Sequence, residues 1–93
     1  DYILFAPNTF TPNGDGTNDF FFPQGIGIDR DHFKMMIFNR WGELIYETEN
    51  PDAGWDGKYK NVMSKTDVYV WKIQTRDHKN QQHDYIGHVT LLK

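Results

Sequence analysis

The 93-residue sequence contains no cysteine. That excludes disulfide staples, thiolate metal sites and cysteine nucleophiles. It does not fix the compartment, because all-β domains without disulfides occur on both sides of a membrane. Serine is almost as scarce: Ser64 is the one serine, in a polar stretch without the glycines of a nucleophile elbow. Lys and Arg stand singly, and the net charge is −3. The chain therefore lacks the basic footprint of a nucleic-acid binder. No apolar run approaches the ~20 residues of a membrane-spanning helix. Asp1 opens the chain without a basic region, an apolar core or a cleavage site, so no signal peptide is expected within it. Export would then need a signal on a longer precursor or one carried by the domain itself.

What is present reads as one folded domain over residues 1–93. Aromatic residues make up 16% of the chain, enough to argue for a packed core rather than a disordered tail. Phe33, Met35 and Ile37 share one face at the two-residue strand period. Leu44-Ile45-Tyr46 forms the next short strand. Between them, Asn39-Arg40-Trp41-Gly42 reads as a hairpin turn, with Gly42 free to take positive φ. From Val68 to Thr75, residues Tyr69, Trp71, Ile73 and Thr75 face one way. In the last strand, Tyr85–Leu92, Val89 and Leu91 share a face. Residues 77–84, DHKNQQHD, read as a solvated loop joining these last two strands. The segments 25–32 and 50–67 are expected to be loops or short edge strands. Apolar runs are too short for helices and rich in β-branched and aromatic residues. The expected fold is all-β, a small antiparallel β-sandwich of about seven strands. Its expected core includes Met35, Ile37, Tyr69, Trp71, Ile73, Val89 and Leu91. Phe20, Phe21 and Phe22 are adjacent and cannot all face inward, so one is expected on the surface or under a loop.

Four places could carry chemistry. In NGDGTND (13–19), Asn13, Asp15, Thr17 and Asp19 fall at alternate positions, as oxygen ligands do in calcium loops. Only two are carboxylates, and position twelve, counted from Asn13, is Gln24 rather than glutamate. The same residues also make an ordinary tight turn, since Asx side chains bond nearby amides and Gly accepts positive φ. Both readings stay open, with Ca²⁺ as the one cofactor considered. In GWDG (54–57), Asp56-Gly57 is a hairpin-turn signal. Trp55 beside it is either a sugar-stacking platform or, as the composition of cores favours, a cover on one end of the core. Trp41 and Arg40, at the tip of the predicted hairpin, suit partner recognition or a local cation–π stack that stiffens the turn. The histidines, His32, His78, His83 and His88, show no ligand spacing and are expected at the surface or at strand edges. No combination of nucleophile and base emerges, so the chain is not expected to be an enzyme.

The order of the pieces carries more than any one of them. FTPNGDGTND at 10–19 is followed by FKMMIFNRWGELIYE at 33–47, GWDG at 54–57, DVYVWKI at 67–73 and GHVTLLK at 87–93. This series resembles the gliding-motility-associated C-terminal domain, the type B sorting domain of the type IX secretion system. The resemblance covers nearly the whole chain. It departs at Thr66-Asp67, where the family pattern has a Pro-Xaa-Gly-like turn. The resemblance implies a small immunoglobulin-like sandwich at the C-terminus of large secreted or surface proteins. It implies a secretion signal, recognised by the type IX outer-membrane translocon and associated outer-membrane proteins. The cargo would pass through the periplasm and across the outer membrane to the cell surface or medium. The turn Asn39, Arg40, Trp41 and Gly42 and the loop residues Asn13, Asp15 and Asp19 are the candidate partner-binding residues. The alternative is a calcium-stabilised adhesion or carbohydrate-binding module, with Trp41 and Trp55 as platforms.

Overall fold

The computed structural model describes residues 3–12, 14, 19–26, 32–76 and 79–92. In chain order the strands are β1 (Ile3–Phe5), β2 (Thr9–Phe10), β3 (Gln24–Ile26), β4 (Lys34–Phe38), β5 (Leu44–Thr48), β6 (Lys58–Tyr59), β7 (Val62–Met63), β8 (Asp67–Arg76) and β9 (Gln82–Leu91). No α-helix occurs among the described residues. One sheet has five strands in the order β2-β9-β8-β4-β5, and β1 and β3 form a second. Strands β6 and β7 make a small hairpin of their own. The five-stranded sheet and the β1-β3 pair together hold seven strands, the number expected of a small β-sandwich, and the β6-β7 hairpin adds two more. Every pairing is antiparallel except β2 on β9, which is parallel.

The five-stranded sheet is built on β8 and β9, paired without interruption from Asp67↔Leu91 to Arg76↔Gln82. Strand β4 joins β8 on its other side, with Met35 opposite Ile73 and Ile37 opposite Trp71. The expected alternation is what closes the core: Phe33, Met35, Ile37, Tyr69, Ile73, Val89 and Leu91 are buried on one face. Trp71 is only partly buried and packs against this cluster. Its ring lies over Gly87, its direct cross-strand neighbour. A Cβ there would collide with Trp71 Cζ2, so the indole occupies the space a side chain would need.

Trp55 is the centre of the core rather than a platform. It is 0% exposed. Its ring meets Phe10 at 5.4 Å and Tyr69 edge-on at 5.1 Å between centroids. Its backbone exchanges hydrogen bonds with Phe21, 2.8 Å from Phe21 N to Trp55 O and 3.0 Å in return. Its Nε1 donates to Lys58 O at 3.1 Å, so no buried polar atom is left open on the indole. A sugar ring cannot stack on a side chain in this position.

Three expectations need correction. Two of the adjacent phenylalanines are exposed, not one: Phe20 at 49% and Phe22 at 38%, with Phe21 wholly buried. Strand alternation sends both neighbours of an inward residue outward. The polar loop 77–84 is shorter than expected, because Gln82, His83 and Asp84 belong to β9. Gln82 and Asp84 are exposed in that strand, so their polarity costs nothing while pairing with β8 continues. Asp56-Gly57 is not the hairpin turn of its region. That turn is Lys60-Asn61, with φ of 52° and 66°, the two positive values of a two-residue type I′ connection.

Candidate recognition surface

The turn at the end of β4 is organised by one side chain. Asn39 N donates to Glu43 O and Asn39 O accepts from Gly42 N, both at 3.0 Å. This leaves a three-residue loop, Arg40-Trp41-Gly42, whose last residue has φ +83°. That is a short hairpin loop ending in a left-handed residue, a position that favours glycine. Asn39 Oδ1 then accepts from Trp41 N at 3.0 Å and from Glu43 N at 2.9 Å, while Nδ2 donates to Glu43 Oε1 at 2.8 Å. Only an amide side chain accepts and donates in this way. Asn39 and Gly42 therefore shape the loop, and Arg40 and Trp41 are what the loop presents.

Trp41 is 71% exposed, the largest exposure among the large hydrophobic residues described. Nothing in the turn needs an indole there. Arg40 holds its guanidinium 5.4 Å from the Trp41 ring centre and its Nη1 3.6 Å from Asp67 Oδ2. The cation–π contact, one of the two readings of this pair, is present, yet it covers little of the ring. Lys65 reaches the same ring, with Nζ 4.8 Å from its centre.

Beside the turn lies a cleft of about 160 Å³, lined by Asn39 and Trp41 of the turn, Ile45, Tyr59, Ser64 and Lys65, and Asp67 and Tyr69 of β8. Tyr69 ties its wall down: the hydroxyl donates to Lys65 O at 2.8 Å. Burial pushes that hydroxyl above the usual tyrosine range, with Ser64's hydrogen bond pulling it back and Asp67's charge adding to the rise. The phenol thus stays a donor through the neutral range. Arg40 and Trp41 stand out in the sequence as a hairpin tip, whereas Tyr59, Lys65 and Asp67 reach the cleft only through the fold. Thr66-Asp67, the point of departure from the family pattern, is where β8 begins, and Asp67 Oδ1 accepts from Val68 N at 2.8 Å.

Of the acidic loop, Asn13, Asp15 and Thr17 lie outside the described residues. Asp19 is described, and its Oδ1 accepts from Gly14 N at 2.9 Å, where Gly14 has φ +81°. The ends of the loop are thus tied by an Asp carboxylate to a left-handed glycine. Among the described residues no three His, Asp or Glu side chains converge as a metal group. His32 and His88 are exposed and His83 is half-buried, as expected for surface and edge positions; His78 lies outside the described residues.

The model of the type IX secretion signal domain, CHU_C, matches residues 4–91. The chain belongs to this family. The family is not one of enzymes, and the signal domain is a C-terminal secretion signal of the type IX system. No curated protein matches it. Among solved structures it is similar to CopC from Methylosinus trichosporium OB3b, at 13% identity and a TM-score of 0.66. That match covers 98% of this chain and 93% of CopC. At such low identity the likeness shows the fold alone.

The Asn39 network makes a first prediction. Asn39→Ala removes three hydrogen bonds from the turn. At ~0.5–1.5 kcal/mol net for each such bond, less at an exposed site, the loss is expected to be about 1–2 kcal/mol. Thermal melting should show a drop of roughly 4–16 °C. A melting temperature equal to the parent's would show that the loop holds its shape without that side chain.

Proposed function

We propose that the signal domain is read as a folded object at the Asn39–Gly42 turn by the outer-membrane part of the type IX machinery, which exports the attached cargo. The cargo then crosses from the periplasm to the cell surface or medium. The observation that carries this reading is the exposed Trp41 on a turn held rigid by Asn39. Large aromatic side chains are concentrated at binding hot spots, and a pre-ordered loop loses little entropy on docking. Loop 13–19 is a second candidate contact, through Asn13, Asp15 and Asp19. A soluble reporter carrying an N-terminal signal peptide and this domain at its C-terminus tests the proposal. The reporter is expected outside cells with a working type IX system and in the periplasm of cells without one. Periplasmic retention in both would leave the adhesion module as the better account, with Trp41 as its platform.

For the same loop we propose a weak Ca²⁺ site formed by Asn13, Asp15, Thr17 and Asp19, supported by the alternation of oxygen-bearing side chains. Two carboxylates suit the affinity of extracellular modules, around 10⁻⁴ to 10⁻³ M. Calcium at ten times its Kd would add about 1.4 kcal/mol, or several degrees in melting temperature. The shift should vanish in EGTA and in Asp15→Asn. An unchanged melting temperature in millimolar calcium would leave the loop as a turn.

A further inference from the structure

Each cation–π contact found among the described residues falls on an aromatic residue of one cleft. Arg40 and Lys65 stand over Trp41, and Lys60 Nζ is 5.3 Å from the centre of the Tyr59 ring. This gathering is unexpected in a chain of net charge −3. It arises because residues 57–66, GKYKNVMSKT, contain three lysines and no acid. The type I′ turn at Lys60-Asn61 folds that stretch back beside the Arg40-Trp41 tip. The charges are not balanced internally. Asp67 lines the cleft and pairs with Arg40 at 3.6 Å. Lys60 and Lys65 have no carboxylate within ion-pair distance among the described residues. Two ammonium groups are thus held against ring faces around an apolar cleft, with their counter-charge missing.

Resting on the recognition reading above, we infer that this cleft takes an acidic segment of the export partner. An apolar or aromatic side chain of that segment enters the 160 Å³ space between Trp41, Ile45, Tyr59 and Tyr69. Neighbouring Asp or Glu side chains meet Lys60 and Lys65. Opposite charges across an interface steer the encounter and fix the register, while the buried aromatic anchor supplies the affinity. A flat anionic membrane surface fits less well: it cannot enter the cleft, and a domain of net charge −3 is repelled by it.

The test uses the reporter fusion and three double variants. Lys60→Glu with Lys65→Glu is expected to lower export about tenfold or more, since like charges would then face each other. Lys60→Arg with Lys65→Arg should export near the parental level. Lys72→Glu with Lys79→Glu changes the net charge equally, away from the cleft, and should also export normally. Melting curves establish that each variant is folded; if the glutamate pair melts early, Lys60→Gln with Lys65→Gln carries the test and should show a smaller loss. Parental export of the folded glutamate pair, with Trp41→Ala still defective, would overturn the acidic partner and leave the recognition reading standing. Parental export of both would remove the recognition reading as well. Co-sedimentation of the domain with phosphatidylglycerol vesicles, lost in the glutamate pair, would move the anion from protein to lipid and overturn the inference.

Discussion

Trp41→Ala should abolish most export of a fused reporter while leaving the domain folded. The indole is exposed, so its removal opens no cavity, and surface changes of this kind shift stability by no more than about 0.5 kcal/mol. The backbone of the turn is held by Asn39, whose bonds do not involve the Trp41 side chain. If the ring is an anchor for the partner, its loss costs ~2 kcal/mol or more of binding, a factor of roughly thirty in affinity. Export should fall accordingly, with melting temperature unchanged. Trp41→Phe should recover part of it. Undiminished export from a folded Trp41→Ala fusion would place the recognition surface elsewhere on the domain.

Trp55→Ala is expected to fail for the opposite reason. Its side chain is fully buried and touches Phe10 and Tyr69. Truncating a buried Trp costs about 3–5 kcal/mol through lost burial and the cavity left behind. Lys58 O would also lose its indole donor. Against a total stability of ~5–15 kcal/mol for a small domain, that brings the fold near its limit. The melting temperature should drop by roughly 12 °C or more, and cooperative melting could be lost outright. Export should fall with it, because a signal read by shape requires the shape. The two tryptophan variants separate the two demands: one removes the contact and keeps the fold, the other removes the fold. A Trp55→Ala domain that melts without cooperativity yet exports at the parental level would show that the machinery reads an extended segment.

These two tryptophans also show how much was legible beforehand. Strand alternation around Met35, Ile37, Tyr69, Ile73, Val89 and Leu91 depends only on neighbours two residues apart, so the main sheet could be read from the chain. So could the turn at Gly42, since its chemistry is local. The local sequence around Trp41 and Trp55 is alike, with a glycine beside each. What separates them is the bridge from Trp55 to Phe21, 34 residues earlier in the chain, and no local pattern shows it. The same bridge decides which of the three phenylalanines turns inward. The β6–β7 turn escaped notice because Asp56-Gly57 is the commoner hairpin signal, whereas Lys60 adopts positive φ without being a favoured residue for it. The cleft cations were visible as single lysines, but their convergence on Trp41 and Tyr59 is a property of the fold.

The most direct measurement of where the domain is read is site-specific photo-crosslinking in cells exporting the reporter fusion. A photoreactive residue replaces Leu44, which is exposed at the first position of β5 beside the turn. A second fusion carries it at Lys79, beyond the far end of β8 from Asp67. Ten strand residues separate these ends by about 30 Å. Recognition at the Asn39–Gly42 turn predicts an adduct between position 44 and an outer-membrane protein, lost in Trp41→Ala, and none from position 79. An adduct from position 79 with none from position 44 would contradict it.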